Sequence, residues 1–215
     1  MESQIIFWLE MIGTVAFAAS GALVGMYCGM DAFGVCTLGC VTAVGGGIVR
    51  DTLLGELPSS LQHPVYIICA AATSLVMFTI LFLRKRFLRG VWRQFYERLM
   101  LVMDSVGLGI FTAIGVRAGI TAGYADNGFL LVFLGTLTGV GGGLLRDVLA
   151  QQPPYILVKH IYALASIAGG IAYIIIYPLL GELASITICT VSVVVIRLLA
   201  AHYRWSLPKL RLPKE

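Results

Sequence analysis

Charged side chains are scarce in this sequence. Of its 215 residues, 12% are charged and 59% are hydrophobic, and the mean hydropathy is +0.92. Soluble domains carry about 25% charged residues, so the composition excludes the ordinary soluble classes. Apolar runs of about 20 residues, the length that a helix needs to cross a bilayer, recur along the chain. We therefore expect an all-α polytopic membrane protein.

Paired cysteines and metal-ligand motifs are also lacking. The five cysteines lie in or beside apolar runs, without a C-x-x-C pair or a histidine at ligand spacing, which indicates small buried hydrophobes. The glycine clusters fit neither the G-x-G-x-x-G nor the Walker pattern. No nucleophile, base and orienting residue form a recognisable set. We therefore expect no metal site, no cofactor and no enzyme activity.

Seven apolar spans are predicted along the chain. They cover residues 5–27, 33–54, 64–83, 98–118, 128–150, 156–177 and 183–203. Because seven is odd, the two ends lie on opposite sides of the membrane. Six basic residues from Arg84 to Arg98 and five from Arg197 to Lys214 place the N-terminus outside and the C-terminus in the cytoplasm. We expect a multi-pass protein of the cell (inner) membrane, and no nucleic-acid partner, because the basic residues flank helices.

One motif is written twice. "GGGIVRD", which begins at Gly45, returns 96 positions later as "GGGLLRD", which begins at Gly141. Earlier in each copy, "EMIGTVAFAASGALVG" from Glu10 matches "DSVGLGIFTAIGVRAG" from Asp104 at an offset of 94. Spans one to three therefore repeat as spans four to six. The two offsets predict that the two copies differ in length by two residues in the segment between their first and second helices.

The repeat defines three predicted units. Residues 1–97 form a first three-helix repeat with a cytoplasmic basic loop, residues 98–180 a second repeat, and residues 181–215 a seventh helix with a basic tail. Since three crossings are an odd number, the second repeat is inverted relative to the first. Inverted repeats in membrane proteins place their pathways near the midplane, where interrupted helices meet.

The glycine triplets have two readings. They are Gly45, Gly46 and Gly47 in span two and Gly141, Gly142 and Gly143 in span five. A glycine in a helix interior costs about 1 kcal/mol relative to alanine. Our interpretation is that both helices break there and line a polar pathway. The alternative is that the glycines only let another helix pack closely; their recurrence in two opposed copies favours the break.

Six charged residues in the spans are candidates for pore lining or gating. They are Glu10, Arg50, Asp51, Asp104, Arg146 and Asp147. A charge near the bilayer centre costs about 2.5 kcal/mol or more and so needs a partner. The alternative is that these charges lie near enough to helix ends to reach the interface and brace the bundle.

We expect the charges to pair between the repeats, because adjacent residues on a helix point in different directions. Arg50 is expected to pair with Asp147 or Asp104. Arg146 is expected to pair with Asp51 or Glu10. The two arginines are expected on opposite sides of the midplane.

The doubled "GGGIVRD" and "GGGLLRD", within inverted three-helix repeats, resemble the prokaryotic relatives of the trimeric intracellular cation (TRIC) channels, also described as glycine-transporter domain proteins. The resemblance implies a homotrimer, with a pore for potassium and sodium between spans two and five of each subunit. It also implies bound membrane lipid near Arg146, with Arg50 as the counterpart. Animal relatives carry a lysine-containing motif where this chain has Arg-Asp.

Two functions compete on the residues alone. A channel would use exposed backbone carbonyls and the aspartates to offset lost ion hydration. A secondary carrier of glycine or another small amino acid would hold the carboxylate with an arginine and the amine with an aspartate. A scaffold would need no paired broken helices. The family resemblance favours the channel.

Overall fold

The structure is a computed structural model that describes residues 2–84, 92–158 and 161–205. In these ranges the regular elements are α-helices, as expected. Their bounds are α1 Glu2–Tyr27, α2 Ala32–Leu53, α3 Ser59–Gln62, α4 Val65–Arg84, α5 Trp92–Thr121, α6 Gly128–Leu149, α7 Tyr155–Val158 and α8 Ala163–His202. Six of them, all but the short α3 and α7, are long and apolar enough to cross a membrane. The chain is therefore a multi-pass membrane protein.

The basic loop and the basic tail lie largely outside the part of the chain that the structure describes. Much of the predicted basic loop (residues 85–91) and of the basic tail (residues 206–215) lies outside the described residues. The orientation of the two termini and the unit boundaries after residues 97 and 180 therefore stay predictions.

The two repeats fold into matching bundles. α1, α2 and α4 pack together in the first, and α5, α6 and α8 in the second. The turns after α2 and α6 also match, since each contains one left-handed residue, Gly55 (φ 74°) or Gln151 (φ 52°). The next N–H donates to the carbonyl of Asp51 or Asp147, in each case at 2.9 Å. This hydrogen bond closes the helix end in the same way twice.

The predicted two-residue difference lies in the turn between the first two helices of each repeat. Residues 28–31 join α1 to α2, whereas residues 122–127 join α5 to α6. Both turns contain a left-handed glycine, Gly29 or Gly123. Both also end on a side chain that caps the next helix, Asp31 or Asn127. The extra residues therefore fall between the glycine and the cap.

The second repeat is inverted, because equivalent helices cross in antiparallel directions. A Cβ atom on Gly13 would lie 3.2 Å from the ring of Phe111, and one on Gly107 would lie 2.1 Å from the ring of Phe17. Position 13 of α1 thus meets position 111 of α5, and position 17 meets position 107. The two phenylalanine rings pack on each other with centroids 5.2 Å apart.

α8 is a helical hairpin. Its backbone leaves the helical region at Gly181 (φ 77°, ψ −174°), three residues after Pro178. A Cβ atom on Gly169 would lie 2.4 Å from the side chain of Val193, although these residues would be more than about 30 Å apart on a straight helix. The fold-back puts predicted spans six and seven side by side. It supports a count of seven crossings, which stays a prediction.

The break expected at both glycine triplets is absent, and this part of the prediction is wrong. The backbone of α2 and of α6 stays helical throughout the triplets. A Cβ atom on Gly46 would lie 2.2 Å from the carbonyl oxygen of Thr138, and one on Gly142 would lie 2.1 Å from the carbonyl oxygen of Thr42. The glycines therefore allow two antiparallel backbones to touch, as in other small-residue contacts between membrane helices.

This contact predicts opposite effects for two neighbouring substitutions. Gly46→Ala should destabilise the protein by about 1–3 kcal/mol, because the new methyl group must push α6 away. Gly47→Ala is the matched control, since a Cβ atom there would have the Arg50 guanidinium as its nearest neighbour at 3.8 Å. We expect it to leave stability unchanged or to raise it through helix propensity. Thermal unfolding in detergent measures both; equal melting temperatures would contradict the contact.

Candidate functional site

The Arg-Asp doublets end the two crossed helices and pair within themselves. A nitrogen of the Arg50 guanidinium lies 2.6 Å from the Asp51 carboxylate, and one of Arg146 lies 2.8 Å from the Asp147 carboxylate. The expectation that adjacent residues pair poorly is therefore wrong. The arginine side chain is long enough to curl back over the next residue, and all four residues face protein with at most 6% of their surface exposed.

The second oxygen of each aspartate holds the short helix that follows. Asp51 accepts the backbone N–H of Ser59 at 2.8 Å, and Asp147 accepts the backbone N–H of Tyr155 at 2.7 Å. Each doublet thus joins three parts: the end of a crossed helix, a guanidinium group and the start of α3 or α7. The aspartates position the arginines and the short helices together.

The two arginines lie on opposite sides of the helix crossing. Gly46 faces Thr138 while Gly142 faces Thr42, so the chains run antiparallel where the backbones touch. Arg50 and Arg146 each follow the crossing by about one turn on their own helices. The two arginines therefore have separate environments, one on each side of the crossing.

The Arg146 side is closed by a buried ion cluster. Arg146 Nη1 lies 2.8 Å from Asp104 Oδ1 and also donates to the Ser20 hydroxyl. From α8, Arg197 Nη2 lies 3.4 Å from Asp104 Oδ2, and the Arg197 guanidinium carbon lies 4.6 Å from the centre of the Tyr162 ring. Arg146 has no exposed surface, and Asp104 has 1%.

The expected partners of both arginines were therefore wrong. Arg146 binds Asp104 of its own repeat rather than Asp51 or Glu10, and Arg50 binds its neighbour Asp51. Packing within each bundle brings the acid on its first helix close to the end of its second helix. The cross-repeat contact at the glycines is made by backbone and leaves no room for charges between the crossing helices.

The buried cluster is balanced in charge. Two guanidinium groups, Arg146 and Arg197, face two carboxylates, Asp104 and Asp147. The Tyr162 hydroxyl donates a further hydrogen bond to Asp104 Oδ1 at 3.3 Å.

The Arg50 side is open. There Glu10 takes the position of Asp104 and accepts a hydrogen bond from Tyr66, as Asp104 does from Tyr162. Beside them lies a small cavity of about 40 Å³, which we call the inner cavity. It is lined by Glu10, Thr14, Ala43, Val44, Gly47, Arg50, Ser59, Ser60, Tyr66, Phe111 and Ile114.

A larger space of about 200 Å³, the outer cavity, adjoins the inner one and shares some of its lining residues. Its charged lining residues are Glu10, Asp51, Glu56, Arg50 and Arg117. Three carboxylates thus face two guanidinium groups. Arg117 is in turn bound to the Glu182 carboxylate of α8, so the formal charge around the open side is negative.

Sequence reasoning missed three partners in this site. Arg197 counted only as a topology signal, although it lies inside span seven, where a charge usually marks a buried contact. Tyr66 and Tyr162 were not among the predicted site residues. A single sequence does not show which group a tyrosine hydroxyl will bind. The repeat-related acids Glu10 and Asp104, however, each require a buried hydrogen-bond donor.

Known proteins share this architecture. The family model described as "Glycine transporter" matches residues 7–81 and 101–178. The UPF0126 inner membrane protein YadS of Escherichia coli (strain K12) is 39% identical over 218 residues, which cover 99% of each chain. The solved structure of a prokaryotic TRIC channel in 0.5 M KCl is 31% identical, covers 95% of this chain and 100% of that chain, and has a TM-score of 0.84. The chain belongs to the TRIC-type glycine-transporter family.

A second structure of the TRIC-type family, described as the structural basis for conductance through TRIC cation channels, is 33% identical. The match covers 96% of this chain and 98% of that chain, with a TM-score of 0.81. Lipid binding at Arg146 and Arg50, expected from the family resemblance, stays a prediction. Both guanidinium groups are buried and bound to carboxylates in this structure.

The difference between the two sides predicts unequal effects at equivalent acids. Asp104→Asn should destabilise the protein by about 3–5 kcal/mol, because two buried guanidinium groups lose a shared carboxylate. Glu10→Gln, the repeat-related control, should cost about 1 kcal/mol, since the Glu10 carboxylate accepts its hydrogen bond from the neutral Tyr66 hydroxyl. Thermal unfolding of both variants in detergent tests this. Equal losses of stability would contradict the assignment of the closed side.

Proposed function

We propose that the protein is a monovalent cation channel, permeable to potassium and sodium, with one path in each subunit beside the crossing of α2 and α6. Two TRIC structures that share its fold are described as cation channels or as a channel in KCl. The proposal places Arg50, Asp51 and Glu10 on one side of the crossing and Arg146, Asp147 and Asp104 on the other. The triplets Gly45–Gly47 and Gly141–Gly143 keep the two helices in contact.

The observation that carries the proposal is the neutralisation of both arginines. An arginine in a cation path repels the permeant ion unless a carboxylate is close. Arg50 and Arg146 each have an aspartate carboxylate within 2.8 Å. The lining of the outer cavity then retains an excess of carboxylate over guanidinium groups. Clefts lined by one sign of charge concentrate ions of the opposite sign, which here favours cations.

The structure corresponds, on this proposal, to a closed state. The path enters through the outer and inner cavities and would continue past the helix crossing toward Asp104. The ion cluster of Asp104, Arg146 and Arg197 fills that side, and Arg146 has no exposed surface. Opening would require these groups to separate and to exchange partners with water.

A carrier of a small amino acid is the second candidate, favoured by the description of the family model as a glycine transporter. An outer cavity of about 200 Å³ also has room for such a molecule. However, the carrier needs a guanidinium group free to bind the carboxylate. The Arg50 guanidinium is held by Asp51 through two of its nitrogens, at 2.6 and 2.7 Å, so the geometry supports the channel better.

The assembly and location follow the family. We infer a homotrimer in the cell (inner) membrane, with lipids in contact with the exposed apolar helix faces and with the pore inside each subunit. The related protein of Escherichia coli is named an inner membrane protein.

Purified protein in a planar bilayer tests the channel directly. We expect unitary currents in potassium chloride whose reversal potential, in a salt gradient, follows the cations and not chloride. Addition of glycine should leave these currents unchanged. Saturable glycine uptake by proteoliposomes without unitary currents would instead support the carrier and contradict the channel.

A further inference from the structure

We propose that the inner cavity is a binding site for one dehydrated or partly dehydrated monovalent cation. Its ligands are the Glu10 carboxylate and the hydroxyl groups of Thr14 and Ser60. The inference rests on the proposed channel function in one respect only: the bound ion would be the permeant one. The site itself is argued from the groups that line the cavity.

The first argument is an unpartnered hydroxyl. Ser60, in α3, lines the inner cavity with 7% of its surface exposed, and its buried Oγ has no hydrogen-bond partner among the described residues. A buried hydroxyl normally has a partner, and each exception calls for an explanation such as a bound water or ion. A cation beside Ser60 would use the lone pairs of this oxygen.

The second argument is the remaining capacity of Glu10. The Tyr66 hydroxyl donates to one oxygen of its carboxylate, whereas two carboxylate oxygens offer about four acceptor positions. Hard cations prefer such oxygen ligands. Because Arg50 is bound to Asp51, the three formal charges nearest the cavity sum to one negative charge, which a monovalent cation balances.

The third argument comes from the other repeat. The acid equivalent to Glu10 is Asp104, and it receives the guanidinium groups of Arg146 and Arg197 as well as a tyrosine hydroxyl. In the second repeat, protein cations thus occupy the space beside the acid. Arg197 comes from the second arm of the α8 hairpin, which follows the three helices of the second repeat. Among the described residues, the lining of the inner cavity includes the acid and the tyrosine with one arginine, Arg50.

The inner cavity is large enough for an ion. A single water needs about 10–15 Å³ of such space, and about 40 Å³ is present here. One bare or partly hydrated cation therefore fits beside Glu10 and Ser60.

The position of Ser60 is fixed by the Arg-Asp doublet. Asp51 accepts both the N–H and the hydroxyl of Ser59, at 2.8 and 3.1 Å, and so anchors the first turn of α3 above the cavity. The same aspartate neutralises Arg50. Asp51 is thus a positioning residue for the proposed site. It is not one of the proposed ligands of the ion.

Equilibrium binding of radioactive rubidium to purified protein tests the site. We expect one bound ion per subunit, displaced by potassium. Glu10→Gln should weaken rubidium affinity roughly tenfold or more, and Ser60→Ala by a smaller factor. Glu10→Asp, which keeps the charge, should retain measurable affinity if Glu10→Gln is unstable. Asp126→Asn is the control, since it removes one exposed carboxylate from the α5–α6 turn and should leave affinity within about twofold.

Thallium in crystals of the same protein locates the ion. The inference predicts an anomalous peak within about 3 Å of the Glu10 and Ser60 oxygens, absent from Glu10→Gln. Unitary potassium currents from protein that has no thallium peak and no rubidium binding would overturn the site and leave the channel proposal standing. A thallium peak in protein that never conducts would support the site and overturn the channel proposal.

Discussion

The contact between the backbones of α2 and α6 is the constraint on which the rest of the structure depends. Because Gly46 and Gly142 carry no side chain, each helix can approach a carbonyl oxygen of the other closely. This fixes the antiparallel crossing and hence the relation between the two repeats. It also leaves each Arg-Asp doublet about one turn beyond the crossing, where each arginine finds its carboxylate partners within its own repeat.

The two sides of the crossing use the same parts with different results. Each has an acid on the first helix of its repeat, a tyrosine that donates to that acid, and an arginine held by the next aspartate. The hairpin of α8 adds Arg197 to one side only, and that side is filled and neutral. The other side keeps cavities and an excess of carboxylates. The extra helical arm at the end of the chain thus makes the two related sides of the crossing different. One side is filled by ion pairs, and the other retains cavities lined by polar groups.

The sequence alone predicted the membrane class, the repeat, its inversion and the location of the two-residue difference, because hydropathy and residue spacing report these directly. It also identified every acid and arginine of the doublets. The prediction of broken helices was wrong, because glycine triplets favour a helix break and a close backbone contact equally. A single sequence does not show which helix packs against the glycines. The predicted ion pairs were wrong for a related reason. Helix geometry gives the direction of a Cα–Cβ bond, whereas packing determines where the guanidinium group of Arg50 or Arg146 lies.

A disulfide across the helix crossing tests the central claim most directly. In protein with its five native cysteines replaced by alanine, Gly45→Cys and Leu145→Cys place two thiols where a Cβ atom on Gly45 would lie 2.6 Å from the Leu145 side chain. The account predicts rapid oxidation in membranes, seen by intact mass as protection of both thiols from alkylation. The pair Gly47→Cys with Leu145→Cys, whose first position faces another direction, should stay reduced. Full alkylation of both pairs under oxidising conditions would mean that the helices stand apart at their glycines and would contradict the account.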